Sequence, residues 1–147
     1  MQFRFKTIVV LLCVCMTVIW MAACGEKKEG KVIVTESEFV MRADSDKAYV
    51  IDCKGKVKNV GEVDVKQVVV TGFCRSCIEM IKPGYWFVSG IEKTPEQQDV
   101  IGYLAVGAEQ TFSFKEVAVM YNTVSEKPES MPEKLEAVVV SFETAEK

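Results

Sequence analysis

From Val32 onward, the apolar positions are mostly β-branched or aromatic and fall in short runs separated by Gly, Asp, Asn and Pro. Runs of this kind are typical of β-strands, and breaks such as Lys82-Pro83-Gly84 supply turns between them. The pattern predicts seven strands: Val32 to Met41, Tyr49 to Asn59, Val63 to Phe73, Tyr85 to Ser89, Val100 to Val106, Gln110 to Tyr121 and Leu135 to Phe142. Seven short strands in about 110 residues predict an all-β protein, an antiparallel β-sandwich.

The second and third predicted strands are expected to pair as a hairpin. Odd-numbered positions from Tyr49 to Val57 carry apolar residues or Gly, while even-numbered positions from Asp52 to Lys58 carry Asp or Lys. This alternation gives the strand one apolar face and one solvated face. The connection Asn59-Val60-Gly61-Glu62 contains Asn and Gly, the residues that tolerate positive φ in tight turns.

Helix is scarce in this pattern. Thr94-Pro95-Glu96-Gln97 predicts a single helical turn, with Thr94 as N-cap, Pro95 at the first helical position and Gln97 closing a capping box. The polar segment from Tyr121 to Lys134 contains two prolines and predicts a loop before the last strand.

Residues 1–23 carry the features of an export signal. Arg4 and Lys6 precede an apolar stretch, and Met21-Ala22-Ala23 comes immediately before Cys24. This order predicts a lipoprotein signal peptide, cleaved before Cys24, whose thiol then carries a covalent lipid. A retained membrane-spanning helix is the alternative, but about 17 apolar residues lie at the low edge for crossing a bilayer, and no basic stop-transfer cluster follows.

Cleavage of the first 23 of the 147 residues leaves 124, with 16 basic and 21 acidic side chains and a net charge of −5. This charge argues against nucleic acid as a partner, and no basic block suggests docking to anionic lipid. Residues 24–31 predict a lipidated tether reaching about 20 to 25 Å. Residues 32–147 are long enough for one β-sandwich domain with its own core.

The chain contains no histidine. A Ser-His-Asp triad, a Cys-His dyad and a histidine general base are therefore excluded. The acidic residues are scattered through predicted turns and solvated faces, and no pair has a spacing that indicates one site. The sequence predicts a protein that is not an enzyme, with no catalytic residues and no cofactor other than the lipid on Cys24.

Three segments resemble a known family of small domains. They are Gly55 to Gly61, Val65 to Val70 and Leu104 to Phe112, and together they look like the FxLYD-type domains of bacterial lipoproteins. The resemblance covers residues 32–115 and implies an immunoglobulin-like sandwich without established catalytic residues. The chain departs from the family pattern after Thr71, where Phe73-Cys74-Arg75-Ser76-Cys77 replaces the aromatic-aspartate segment that names the family.

Three cysteines, Cys53, Cys74 and Cys77, remain after Cys24 is lipidated. An odd number in an oxidising compartment leaves either one disulfide and one free thiol or a site that uses all three. Chain entropy favours a bridge between Cys53 and Cys74 at about 3 kcal/mol over the short Cys74 to Cys77 loop at about 2 kcal/mol, without deciding which forms. The interpretation that we favour is a structural disulfide.

Two other interpretations of the cysteines stay open. Cys74-Arg75-Ser76-Cys77 has the spacing of a thiol-disulfide oxidoreductase, and a helix starting at Cys74 would lower its thiol pKa. Against this, thioredoxin folds alternate strands and helices. Alternatively, Cys53, Cys74, Cys77 and Met80 could hold a thiophilic metal ion, although a single CxxC motif is a weak signal.

Tyr85-Trp86-Phe87 is the densest aromatic cluster. Core packing of Trp86 is the favoured interpretation, with Tyr85 and Phe87 on the opposite face as a candidate binding surface. The sequence as a whole predicts an exported, monomeric, lipid-anchored protein of the cell membrane, or of the outer membrane facing the periplasm. Its expected role is a non-enzymatic binding or envelope-assembly module for an envelope protein or a glycan.

Overall fold

The computed structural model describes residues 28–88 and 92–145. Seven β-strands and one 3-10 turn (Pro95–Gln97) form the domain. The strands are β1 (Val32–Ser45), β2 (Ala48–Asn59), β3 (Val65–Cys74), β4 (Trp86–Phe87), β5 (Gln98–Leu104), β6 (Glu109–Tyr121) and β7 (Leu135–Thr144). The predicted strands are therefore confirmed within a few residues, although β4 is only two residues long. The predicted signal peptide and Cys24 lie outside the described residues, as does Ser89.

The strands form two antiparallel sheets packed face to face. One sheet has the order β1-β2-β6-β4 and the other the order β5-β3-β7. Side chains from both sheets fill the space between them, and Ile51, Val57, Val68, Val70 and Leu104 are fully buried there. The all-β sandwich is confirmed, and its core consists mainly of the β-branched residues that mark the strands in the sequence.

The predicted β2–β3 hairpin is wrong. β2 pairs with β1 and β6, whereas β3 pairs with β5 and β7 in the other sheet. The chain after Asn59 therefore crosses from one sheet to the other instead of turning back beside β2. Alternation along β2 is still confirmed from Ile51 onward, since Cys53 and Val57 are buried and Lys54 is exposed.

The predicted helical turn is confirmed at Pro95–Gln97. The side-chain oxygen of Gln97 accepts a hydrogen bond from the Thr94 amide at 3.1 Å, as a capping box requires. Within the described ranges, no helix has the length and hydrophobicity needed to cross a membrane.

The antiparallel strands give the sandwich two distinct ends. Residues 28–31 enter the domain at the end where β2 finishes and β3 begins, because the amides of Val60 and Gly61 both bond to the Lys31 carbonyl. We call this the entry end. The opposite, distal end carries Cys74, the 3-10 turn and the loop between β6 and β7. The length of β3, about 30 Å at 3.3 Å per residue, separates the two ends.

Candidate functional site: the disulfide-linked distal loops

A disulfide joins Cys74, the last residue of β3, to Cys77. The bridge between Cys53 and Cys74 that chain entropy favours does not form. Cys53 lies on β2 in the other sheet, where it is a buried free thiol. Burial raises the pKa of the Cys53 thiol to about 12, since a thiolate is poorly solvated among apolar side chains. Cys53 is therefore an unreactive core residue.

Hydrogen bonds that do not involve the sulfur atoms also hold the disulfide loop in place. The Arg75 amide donates to the Lys134 carbonyl at 2.8 Å, and the Lys134 amide donates to Ser76 Oγ at 3.2 Å. Further along, the Ile78 amide donates to the Trp86 carbonyl, and the Val88 amide donates to the Ile78 carbonyl, both at 3.0 Å. The loop is thus tied both to the segment before β7 and to β4.

The structure has no helix in the segment from Arg75 to Val88. The helix expected to start at Cys74 is therefore absent, and with it the helix dipole that would activate the thiol of Cys74. The Arg75 guanidinium forms an ion pair with Glu136 on β7. The Glu136 carboxylate partly neutralises the positive charge of Arg75, so Arg75 attracts a thiolate at Cys74 less strongly than an unpaired arginine would.

The three aromatic residues do not form one surface. Phe87 is the residue that is buried, with its ring 5.5 Å from that of Tyr121. Trp86 is half-buried, and its indole N–H donates to the Ser130 carbonyl at 3.1 Å. Only Tyr85 is well exposed, at 49 %, with Lys82 Nζ 4.2 Å from its ring centre. Trp86 packs against the hydrophobic core cluster, although it is only half-buried. The exposure of Phe87 expected from alternation is wrong, since Phe87 is buried.

Two distal loops, one between β3 and β4 and one between β6 and β7, carry exposed apolar side chains, and the first contains the two most exposed large hydrophobic residues in the described part of the chain. Met80 is 79 % exposed and Ile81 69 %. We call the exposed large hydrophobic residues of these loops, together with Tyr121 at the end of β6, the distal patch: Met80, Ile81, Tyr85, Tyr121, Val124 and Met131. Beside it, a groove of about 660 Å³ runs between Trp86 and residues 122–130. Clustered exposed hydrophobic residues mark interaction sites in soluble domains.

A second groove, of about 600 Å³, lies on the side of the sandwich where β1, β2 and β6 meet β5. Its charged groups are paired with one another. Lys54 pairs with Glu38 at 3.0 Å, Lys56 pairs with Glu36 at 3.1 Å, and Asp99 accepts a hydrogen bond from the Ser113 amide at 2.9 Å. Lys54, Lys56 and Asp99 in this groove therefore already have polar partners.

Within residues 28–88 and 92–145, no cluster of three or more His, Cys, Asp and Glu side chains is placed to hold a metal ion. The metal site expected from Cys53, Cys74, Cys77 and Met80 does not form. Two of its sulfur atoms are bonded to each other, the third is buried in the core, and Met80 extends into solvent.

Comparisons with protein-family models, with curated proteins and with solved structures found no match to this chain. The assignment to an all-β sandwich therefore depends on its strands and sheets alone. The resemblance to FxLYD-type domains stays a prediction from three sequence segments.

Proposed function

We propose that this protein is an exported lipoprotein, anchored through Cys24, whose sandwich is a non-enzymatic binding or envelope-assembly module. The observation that carries the proposal is the position of the distal patch at the opposite end of the domain from residues 28–31. A chain held to a membrane at its entry end presents its distal loops away from the bilayer. Those loops include the two most exposed large hydrophobic residues of the described chain, Met80 and Ile81.

The dimensions set how far this module reaches. The Glu29 carbonyl already accepts a hydrogen bond from the Glu62 amide, so the tether from Cys24 to the domain spans at most about 18 Å. Together with a strand of about 30 Å, it places the distal patch up to about 50 Å above the acylated cysteine. The partner that we propose is another envelope protein, since an exposed apolar patch rimmed by charged residues such as Lys82 and Glu79 is typical of protein interfaces. A glycan that contacts Tyr85 is the other candidate.

We further propose that the sandwich is immunoglobulin-like. In constant-type immunoglobulin domains the first, second and fourth strands share one sheet, and the third strand belongs to the other. β1, β2, β4 and β3 divide in the same way. β5 and β6 do not follow that order, because β6 occupies the place beside β2 that the fifth strand has in immunoglobulin domains. Relative to the immunoglobulin strand order, β5 is an additional strand beside β3.

Site-specific photo-crosslinking in cells tests the binding role. A benzophenone amino acid is placed singly at Met80, Tyr85 or Val124 in the distal patch, and at Val140 or Val100 as controls. The controls are exposed apolar residues on β7 and β5, away from the distal loops. We expect one discrete crosslinked species from the distal positions and none from the controls.

Two results would contradict this proposal. Equal crosslinking from Val140 and Met80 would show that the distal patch is not the contact surface. Absence of any protein crosslink, together with binding of purified peptidoglycan fragments that is lost in Tyr85→Ala, would move the proposal from a protein partner to a glycan.

A further inference from the structure

We propose that the Cys74–Cys77 disulfide undergoes thiol-disulfide exchange with a protein dithiol at the distal end, and that Cys77 Sγ is the sulfur attacked first. This activity goes beyond the binding role and does not depend on it. The first observation is that the disulfide is not needed to hold its own loop. Arg75, Ser76 and Ile78 are each fixed by hydrogen bonds to residues outside the four-residue ring. Reduction can therefore leave the fold intact.

The two sulfur atoms differ in accessibility. Cys74 is 8 % exposed and belongs to the hydrophobic core cluster, whereas Cys77 is only partly buried and packs against that cluster from the loop. Exchange requires a thiolate to approach one sulfur directly. Here the second cysteine of the motif, Cys77, is the more accessible one, whereas an oxidoreductase of the kind expected from the sequence would expose the first cysteine, Cys74. Met80 and Ile81, three and four residues after Cys77 in the same loop, are exposed apolar side chains.

Ser76 is placed to assist departure of the other sulfur. Its Oγ lies 3.8 Å from Cys74 Sγ and already accepts a hydrogen bond from the Lys134 amide. Its hydroxyl hydrogen is therefore available to Cys74 Sγ. A hydrogen bond to a leaving thiolate stabilises it and speeds exchange. Ser76 is a positioning residue here, since it acts through Cys74.

The exchange takes place in two steps. A thiolate of the partner attacks Cys77 Sγ and forms a mixed disulfide, while the Cys74–Cys77 bond breaks and Cys74 leaves as a thiolate that takes up a proton. The partner's second thiol then attacks the partner's first sulfur, which is bonded to Cys77 in the mixed disulfide. The partner's own disulfide forms, and Cys77 leaves as a thiolate that takes up a proton. The partner is oxidised to a disulfide, and Cys74 and Cys77 receive two electrons and two protons.

Native-state reduction with dithiothreitol tests the proposal, because Cys53 serves as an internal reporter of unfolding. The mature lipidated protein in detergent is reduced for increasing times, blocked with an alkylating reagent and mapped by peptide mass spectrometry. We expect alkylation of Cys74 and Cys77 well before Cys53, which is buried. Alkylation of all three cysteines at the same rate would show that reduction requires global unfolding and would overturn the proposal.

The order of attack is tested with glutathione. Brief treatment of the wild-type protein followed by acid quenching is expected to trap the mixed disulfide on Cys77. A mixed disulfide mainly on Cys74 overturns the assignment. Ser76→Ala is expected to slow reduction by dithiothreitol several-fold, and Ser76→Thr to retain most of the rate. If Ser76→Ala is reduced as fast as the wild type while its thermal stability is unchanged, the role of the hydroxyl is refuted.

Discussion

The Asn59 side chain donates a hydrogen bond to the Leu104 carbonyl at 3.1 Å and thereby connects the two sheets at the entry end. The same amide group donates to the Val63 carbonyl at 2.9 Å, and its oxygen accepts from the Gly61 amide at 3.0 Å. Asn59 is fully buried. The bond to Leu104 is therefore shielded from water, and without the Asn59 side chain the Val63 and Leu104 carbonyls would each lose this hydrogen bond, whereas the Gly61 amide would keep its bond to the Lys31 carbonyl.

Asn59→Leu is expected to lower the free energy of unfolding by about 2 to 4 kcal/mol, because the Val63 and Leu104 carbonyls each lose a hydrogen bond from the Asn59 amide group. Urea denaturation followed by tryptophan fluorescence measures the loss. Asn122→Ala is the control, since the half-buried Asn122 makes a solvent-exposed side-chain bond to the Glu126 carbonyl. A loss for Asn59→Leu no larger than that for Asn122→Ala would contradict the sheet-connecting role.

Gly55→Ala is expected to destabilise the domain by about 3 kcal/mol. A Cβ at this position would lie 2.1 Å from the Glu36 carbonyl oxygen and 2.6 Å from the Phe112 ring. The first contact is with backbone, which cannot move away by changing a side-chain rotamer. Gly102→Ala serves as the control, since a Cβ there has no atom within 4 Å, and its stability should be unchanged or slightly higher. Equal stability of the two variants would refute the close approach.

The buried thiol of Cys53 predicts a pH dependence of stability. Its pKa rises from 9.0 to about 12 on folding, because burial disfavours the thiolate. Above pH 9 the unfolded chain loses this proton while the folded protein keeps it, so the folded state loses stability as the pH rises. At pH 10 the loss is about 1 kcal/mol.

Cys53→Ala isolates this effect from the titration of lysines and tyrosines. The stability difference between wild type and Cys53→Ala should shrink as the pH is raised from 8 to 10. The measurement is a pair of urea denaturation curves at each pH, under conditions that keep thiols reduced in the unfolded state. A difference independent of pH would mean that Cys53 titrates normally in the folded protein.

Cys24→Ala is expected to abolish both cleavage after Ala23 and acylation. Intact mass spectrometry of the membrane fraction should show a lipid-bearing chain starting at Cys24 in the wild type and an uncleaved, unacylated precursor in the variant. Acyl chains contribute about 0.8 kcal/mol per buried methylene, so their loss also weakens attachment. Cys13→Ala and Cys15→Ala, within the predicted signal, should process normally. Unchanged processing of Cys24→Ala would contradict lipidation.

The strands were predictable because they depend on local chemistry. β-Branched residues and period-two alternation identify β2 and β6 without knowledge of their partners. Pairing was not predictable in the same way. Asn59-Val60-Gly61-Glu62 has the composition of a tight turn, but Asn59 uses its side chain to bond to Leu104, which is 45 residues away in the sequence. Only the packed sheets reveal that contact.

The candidate site was less predictable than the fold. Loop length favours the Cys53–Cys74 bridge, yet these residues belong to different sheets. Cys74 is instead bonded to Cys77, three residues further along the chain. For Trp86 and Phe87, a strand of two residues contains too short a pattern to show which side chain faces the core. The distal patch comes from loops, where no periodicity indicates exposure.

Under oxidising conditions, the three cysteines that remain after lipidation of Cys24 create a kinetic hazard during folding, since a disulfide to Cys53 would compete with the native Cys74–Cys77 bond. Cys74 and Cys77 are separated by two residues, and so they meet far more often in the unfolded chain than either meets Cys53. Packing of β2 then removes Cys53 from further exchange. Once the domain is folded, the hydrophobic core shields the unpaired thiol from exchange and so preserves the native pairing.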